Sequence, residues 1–143
     1  MILKRSSKIL IVALGVIIIT IVIVKVIDDH EAPNNIAKLL NISPTPKSLR
    51  LLDCSSVWVP TDVVVICAIE IDPKDFPRLL EGYEFIQVQA DGTNYSNIPD
   101  KVGKDFPVAY NYVAYPKNFK DGGQITIIAD QDKRLAIIDY YEE

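Results

Sequence analysis

Apolar residues are distributed along this chain in two unlike ways. From Ile9 to Ile27, 16 of 19 residues are apolar and no charge interrupts them before Lys25. From Asp28 onward, short apolar stretches alternate with polar residues and with Pro, Gly and Asp punctuation. The first pattern predicts a membrane-spanning helix over residues 9–27, about 28 Å long at about 1.5 Å per residue, against a hydrocarbon core of about 30 Å. Its Ile and Val content disfavours helix in water, but in lipid a helix is the way a single segment satisfies its own backbone. Lys4, Arg5 and Lys8 precede the run, whereas Asp28, Asp29 and Glu31 follow it. The positive-inside rule therefore predicts a cytoplasmic tail over residues 1–8 and everything after the span on the outer side. A cleaved signal peptide would share that orientation. The run is longer than a signal h-region of about 7–15 residues, and Ala32, followed by Pro33, makes a poor cleavage site. An uncleaved signal anchor is the expectation.

The second pattern predicts a small α+β domain over residues 36–143, joined to the span by a polar tether at 28–35. Asn34 or Asn35 is the expected cap of a helix with Ile36, Leu39 and Leu40 on one face, ended by Pro44 and Pro46. Two strand-like runs follow, Leu49–Val59 and Val63–Ile71, around Pro60-Thr61-Asp62. A proline-led turn there predicts an antiparallel hairpin pairing Trp58 with Val63, Ser56 with Val65, Cys54 with Cys67 and Leu52 with Ile69. The face carrying those residues is mostly apolar, and the opposite face holds Asp53, Ser55 and Glu70 among Val64 and Ile66. Asp72 and Pro73 read as the cap and first position of a second short helix, with Phe76, Leu79 and Leu80 inward and Gly82 as its stop. Further strands are expected at Tyr83–Ala90, Val108–Tyr115, Gln124–Ala129 and Leu135–Tyr141, with residues 92–107 a loop. The order α-β-β-α-β-β-β-β implies a mainly antiparallel sheet with two short helices.

Composition sharpens this division. The mean hydropathy is +0.17 although 24% of the 143 residues are charged, a combination explained by one apolar segment attached to an ordinary domain. It excludes a disordered chain, a repeat array and a multidomain enzyme. The net charge of −4 conceals an asymmetry, because residues 28–143 hold 11 basic and 19 acidic side chains and so carry −8. Such a domain is unsuited to nucleic acid, whose binding rests on phosphate neutralisation, and suits a basic protein partner.

Catalytic chemistry has little to work with. His30, the single histidine, falls in the tether, away from any pocket in which a Ser or Cys nucleophile would need a base. Two cysteines and one remote histidine make no zinc ligand set. Asp130-Gln131-Asp132 resembles a calcium loop only at its start and reads as a hairpin turn. No metal or cofactor is expected. Cys54 and Cys67 are expected to face each other within bridging distance, and an oxidising outer compartment would keep them joined. Tyr95, Tyr110, Tyr112 and Tyr115 fall within 21 residues. They suggest either a recognition surface or sheet packing.

The functional expectation is a non-enzymatic, membrane-anchored interaction module outside the cytoplasm. It would serve as an inhibitor or immunity protein, or as an accessory subunit of an envelope complex. Two alternatives are a cell-wall hydrolase using a pair of carboxylates and a sensor binding a small molecule in an apolar pocket.

Overall fold

The computed structural model describes residues 13–21, 31–58, 60–90 and 106–143, the side chains of Val57 and Trp58 excepted. The chain divides into two compact units, Met1–Ala32 and Pro33–Glu143. In the first, residues 13–21 are helical, and Leu14, Val16, Ile17, Ile18, Ile19 and Ile21 are each more than half exposed. Thr20 donates its hydroxyl to the Val16 carbonyl at 2.9 Å, so its polar group is satisfied within the helix. Among the described residues no helix is long and apolar enough to cross a membrane. Residues 9–12 and 22–27 of the expected span lie outside the described residues.

The second unit is an α+β domain built on one six-stranded antiparallel sheet. Its strands are β1 (Arg50–Trp58), β2 (Val63–Glu70), β3 (Ile86–Val88), β4 (Tyr110–Ala114), β5 (Gly123–Ala129) and β6 (Leu135–Glu142). All six fall inside the segments expected to be extended or within one residue of them. Their spatial order is β1-β2-β6-β5-β4-β3. After the β1–β2 hairpin the chain crosses to the far edge and returns strand by strand, which brings β6 against β2.

Residues 31–39 are helical, so this helix already includes Pro33, Asn34 and Asn35, and neither asparagine caps it. Asn34 instead accepts the Thr45 hydroxyl at 2.8 Å. The helix also stops before the expected prolines. Asn41 takes a left-handed conformation at φ 53°. Its N–H donates to the Lys38 carbonyl, and the Ile42 N–H donates to Ala37. Those two bonds form a Schellman motif, with Ile42 and Ala37 buried beside it. The second helix is a 3-10 turn, Phe76–Leu80, because Pro73 and Pro77 leave few backbone donors for a longer ladder. It buries Phe76 and Leu79.

The β1–β2 register matches the expectation at Trp58–Val63, Ser56–Val65 and Cys54–Cys67. It departs at the start of the hairpin, where a register shift between Leu51 and Asp53 pairs Leu51 with Ile69. The extra residue resets the alternation, so Leu51 joins Leu49 against the main core while Cys54 keeps its place. The expected Leu52–Ile69 pair is thus replaced for a packing reason.

Two apolar layers flank the sheet. The larger joins Ile36, Leu40, Phe76 and Leu79 to inward residues of β2, β4, β5 and β6, including Ile69, Tyr112, Ile125 and Ile138. The smaller joins Ile66, Ile128 and Ile137 to Phe106 on the other face, with Val64 and Val108 packed against it. The second face of β2 is therefore covered too, and Ala68 is fully buried there. Burial on both faces explains the consecutive apolar residues 127–129 of β5 and 135–138 of β6.

Candidate functional site

Cys54 and Cys67 form a disulfide between the edge strand β1 and its neighbour, with Cα atoms 4.2 Å apart. That separation is typical of a closely spaced, non-hydrogen-bonded antiparallel pair. Cys67 is buried and Cys54 exposed, so the bridge fastens the sheet edge to the core.

Three of the four tyrosines, Tyr110, Tyr112 and Tyr115, lie among the described residues. Tyr110 and Tyr112 stack with ring centroids 6.4 Å apart, and Tyr112 is buried against Phe76 at 5.9 Å. Lys133, in the β5–β6 turn at φ 56°, lays its ammonium 4.3 Å from the Tyr110 ring centre and 5.4 Å from that of Phe76. These rings hold the turn to the core through packing and cation–π attraction. Tyr115 lies just beyond β4 and is exposed. Tyr95 and the surrounding loop lie outside the described residues.

A second aromatic group closes the opposite end of the large core. Phe119 packs edge-on against Tyr140 at 5.3 Å and Tyr83 at 6.4 Å. Tyr140 donates its hydroxyl to Glu142 at 2.6 Å, and Tyr141 donates to Glu143 at the same distance. Burial first, and then the bond to Glu142, push the Tyr140 phenol far above its ordinary range. Burial, followed by the charge of Glu142, also raises Tyr83. The bond to Glu143 leads in raising Tyr141 to about 12.

Loops 44–50, 71–78 and 130–134 meet where β2 ends and β6 begins. Ser48 ties the first two together, donating to Asp75 at 2.6 Å and accepting the Asp72 N–H at 3.2 Å. Asp72 opens its turn by accepting the Lys74 N–H at 3.3 Å. The same carboxylate pairs with the Lys74 ammonium at 2.8 Å. The hydrogen bond from Lys74 holds the Asp72 carboxyl below its usual range, and reciprocally raises Lys74. Arg78 donates to the Pro44 carbonyl, fixing its guanidinium on an uncharged acceptor.

Two open hollows flank this junction and share Ser48. One, of about 330 Å³, has Arg50, Glu70, Asp72 and Arg134 in its wall. The other, of about 520 Å³, has Lys47, Lys74, Asp75 and Arg78. Arg50 approaches Glu70 only to 3.9 Å. Among the described residues the side chains of Lys47 and Arg134 have no ion pair. Nothing in the sequence marks these five cations as a group, because they are scattered from Lys47 to Arg134 and only the sheet order brings them to one end.

Most carboxylates with a visible partner hold turns or strand ends. Asp130 accepts the N–H groups of Arg134 and Leu135 at 2.8 and 3.2 Å, giving the Asp130-Gln131-Asp132 segment the hairpin role expected of it. Asp62 accepts the Thr61 hydroxyl at 2.6 Å in the β1–β2 loop. Comparison of the chain with models of known families, with curated proteins and with solved structures finds no match.

Proposed function

We propose that this is a single-pass envelope protein, anchored through residues 9–27, whose outer domain is a non-enzymatic module that binds a basic protein. An inhibitor or immunity role, or that of an accessory subunit in an envelope complex, fits this class. The observation that carries the reading is the helix at 13–21, whose six large apolar side chains are 54–61% exposed. A helix apolar all round is a helix solvated by lipid or buried by protein. The Cys54–Cys67 disulfide favours an oxidising compartment for the domain, since such bonds persist outside the cytoplasm. The charge of −8 over residues 28–143 favours a cationic partner through long-range attraction. The structural use of Asp62, Asp72, Asp75 and Asp130 favours binding over carboxylate catalysis.

The test uses the full-length chain in bacterial cells. Protease added to spheroplasts should digest the domain while the protein remains in the membrane fraction through alkaline washing. A photo-crosslinker placed beside an exposed acidic residue such as Glu84 or Asp132 should then trap a basic protein, and raised salt should abolish the adduct. A chain recovered in the soluble fraction, or a domain sheltered from the protease, would overturn the membrane reading. An adduct insensitive to salt would overturn the electrostatic one.

A further inference from the structure

We propose that the paired hollows around Ser48 form a binding site for a phosphate-bearing ligand, independent of the protein-binding reading above. The domain carries 8 excess negative charges between residues 28 and 143, so a cation-rich hollow is not what its average composition would place there. The larger hollow has Lys47, Lys74 and Arg78 against the single carboxylate Asp75, and its neighbour has Arg50 and Arg134 against Glu70 and Asp72. The surplus of two positive charges matches the charge of a phosphomonoester, about −1.5 to −2 near neutral pH.

The carboxylates are also engaged. Asp72 holds Lys74 and caps its own turn, and Asp75 accepts from Ser48. Arg78 is anchored by the Pro44 carbonyl, an uncharged partner that leaves its positive charge uncompensated. Lys47 has no ion pair among the described residues, and Arg134 attracts Asp72 without a close ion pair. A guanidinium held in place and flanked by ammonium groups is the arrangement that recognises a phosphate, because Arg supplies fixed donors and Lys supplies point charge. A hollow of about 520 Å³ accommodates a phosphate with the sugar or glycerol that carries it. The same chemistry is offered by a soluble phosphate compound and by an anionic lipid headgroup.

Lysine acetylation read by mass spectrometry tests this on the full-length chain in phosphatidylcholine nanodiscs. Pyrophosphate at ten times its Kd should slow acetylation of Lys47 and Lys74 by about tenfold, while Lys117 and Lys120 serve as unaffected references. Chloride at matched ionic strength should protect none of them. Replacing part of the phosphatidylcholine by phosphatidic acid, without pyrophosphate, is the second arm. Protection by pyrophosphate supports a soluble ligand, and protection by phosphatidic acid alone supports a lipid headgroup. Arg78→Gln should remove either effect. Because Arg78 also tethers loop 44–50, Arg134→Gln, an exposed site without that tether, should weaken protection with the disulfide intact. Equal protection of all four lysines, protection by chloride, or no protection in both arms would overturn the site.

Discussion

Gly82 shows how a residue can be placed correctly along the sequence and serve a different purpose in space. Its position after Leu79 and Leu80 suggests a helix stop, the usual task of a glycine in left-handed conformation. The Phe76–Leu80 turn instead ends at Glu81 in right-handed conformation, at φ −78°. The left-handed residue is Asn41, at φ 53°, which ends the 31–39 helix, and Gly82 lies directly against that end. A Cβ on Gly82 would overlap the Leu40 carbonyl oxygen and come within 2.7 Å of the Asn41 oxygen. Asn41 in turn donates its side-chain amide to the Gly82 carbonyl at 3.2 Å. The clash is with backbone, which cannot swing aside as a side chain does. Gly82→Ala should therefore cost about 3 kcal/mol by overpacking, read as a lower urea midpoint with an unchanged slope. An unchanged midpoint would show that the two backbones do not meet there. Glycine spacing reveals a break in the pattern, whereas close approach between segments forty residues apart has no local signature.

At the scale of elements, the β1–β2 hairpin was legible because its information is local. Pro60 limits the turn, period-two alternation fixes the register, and the two together place Cys54 opposite Cys67. The register shift between Leu51 and Asp53 was not legible, since it answers to Leu49, Leu51 and the layer beneath them. The helical spacing of Ile36, Leu39 and Leu40 is legible in the sequence, but the helix already includes residue 31, upstream of the expected caps Asn34 and Asn35, and Asn34 accepts from Thr45 instead. The disulfide fastens the outermost strand across 13 residues of sequence. Replacing both cysteines by alanine should lower stability by about 3 kcal/mol in the chain-entropy view. Denaturant unfolding of that variant, beside the reduced and oxidised parent, measures it. Intact mass should show two alkylated thiols after reduction and none before. Alkylation without reductant would contradict the bridge.

For the molecule as a whole, charge and buried phenols act in the same direction at high pH. Tyr83, Tyr140 and Tyr141 all have pKa values raised in the folded state. A folded phenol with a raised pKa keeps its proton after the unfolded chain has lost it. The unfolded state then binds fewer protons, and stability falls as pH rises. This contribution is intact below about pH 10, the ordinary phenol value, and is lost from there through about 12 for Tyr141 and beyond for Tyr140. Growing negative charge on an acidic domain adds self-repulsion. Denaturant midpoints should thus decline steeply above pH 10, with tyrosinate absorbance rising in step with unfolding. Flat stability across that window would mean that Tyr140 and Tyr83 are not held as described.

The sequence by itself determined what depends on neighbours along the chain. That includes the apolar segment, the α+β class, the placement of six strands, the disulfide hairpin and the Asp130 turn, all set by periodicity, turn chemistry and short-range register. Only the tertiary structure decided the strand order that inserts β6 beside β2, the burial of both sheet faces and the packing of Tyr112. It alone also brought Lys47, Arg50, Lys74, Arg78 and Arg134 to one end of the domain. Those outcomes depend on which distant surfaces fill one another, and a pattern of period two records which face a residue takes but not what lies across from it.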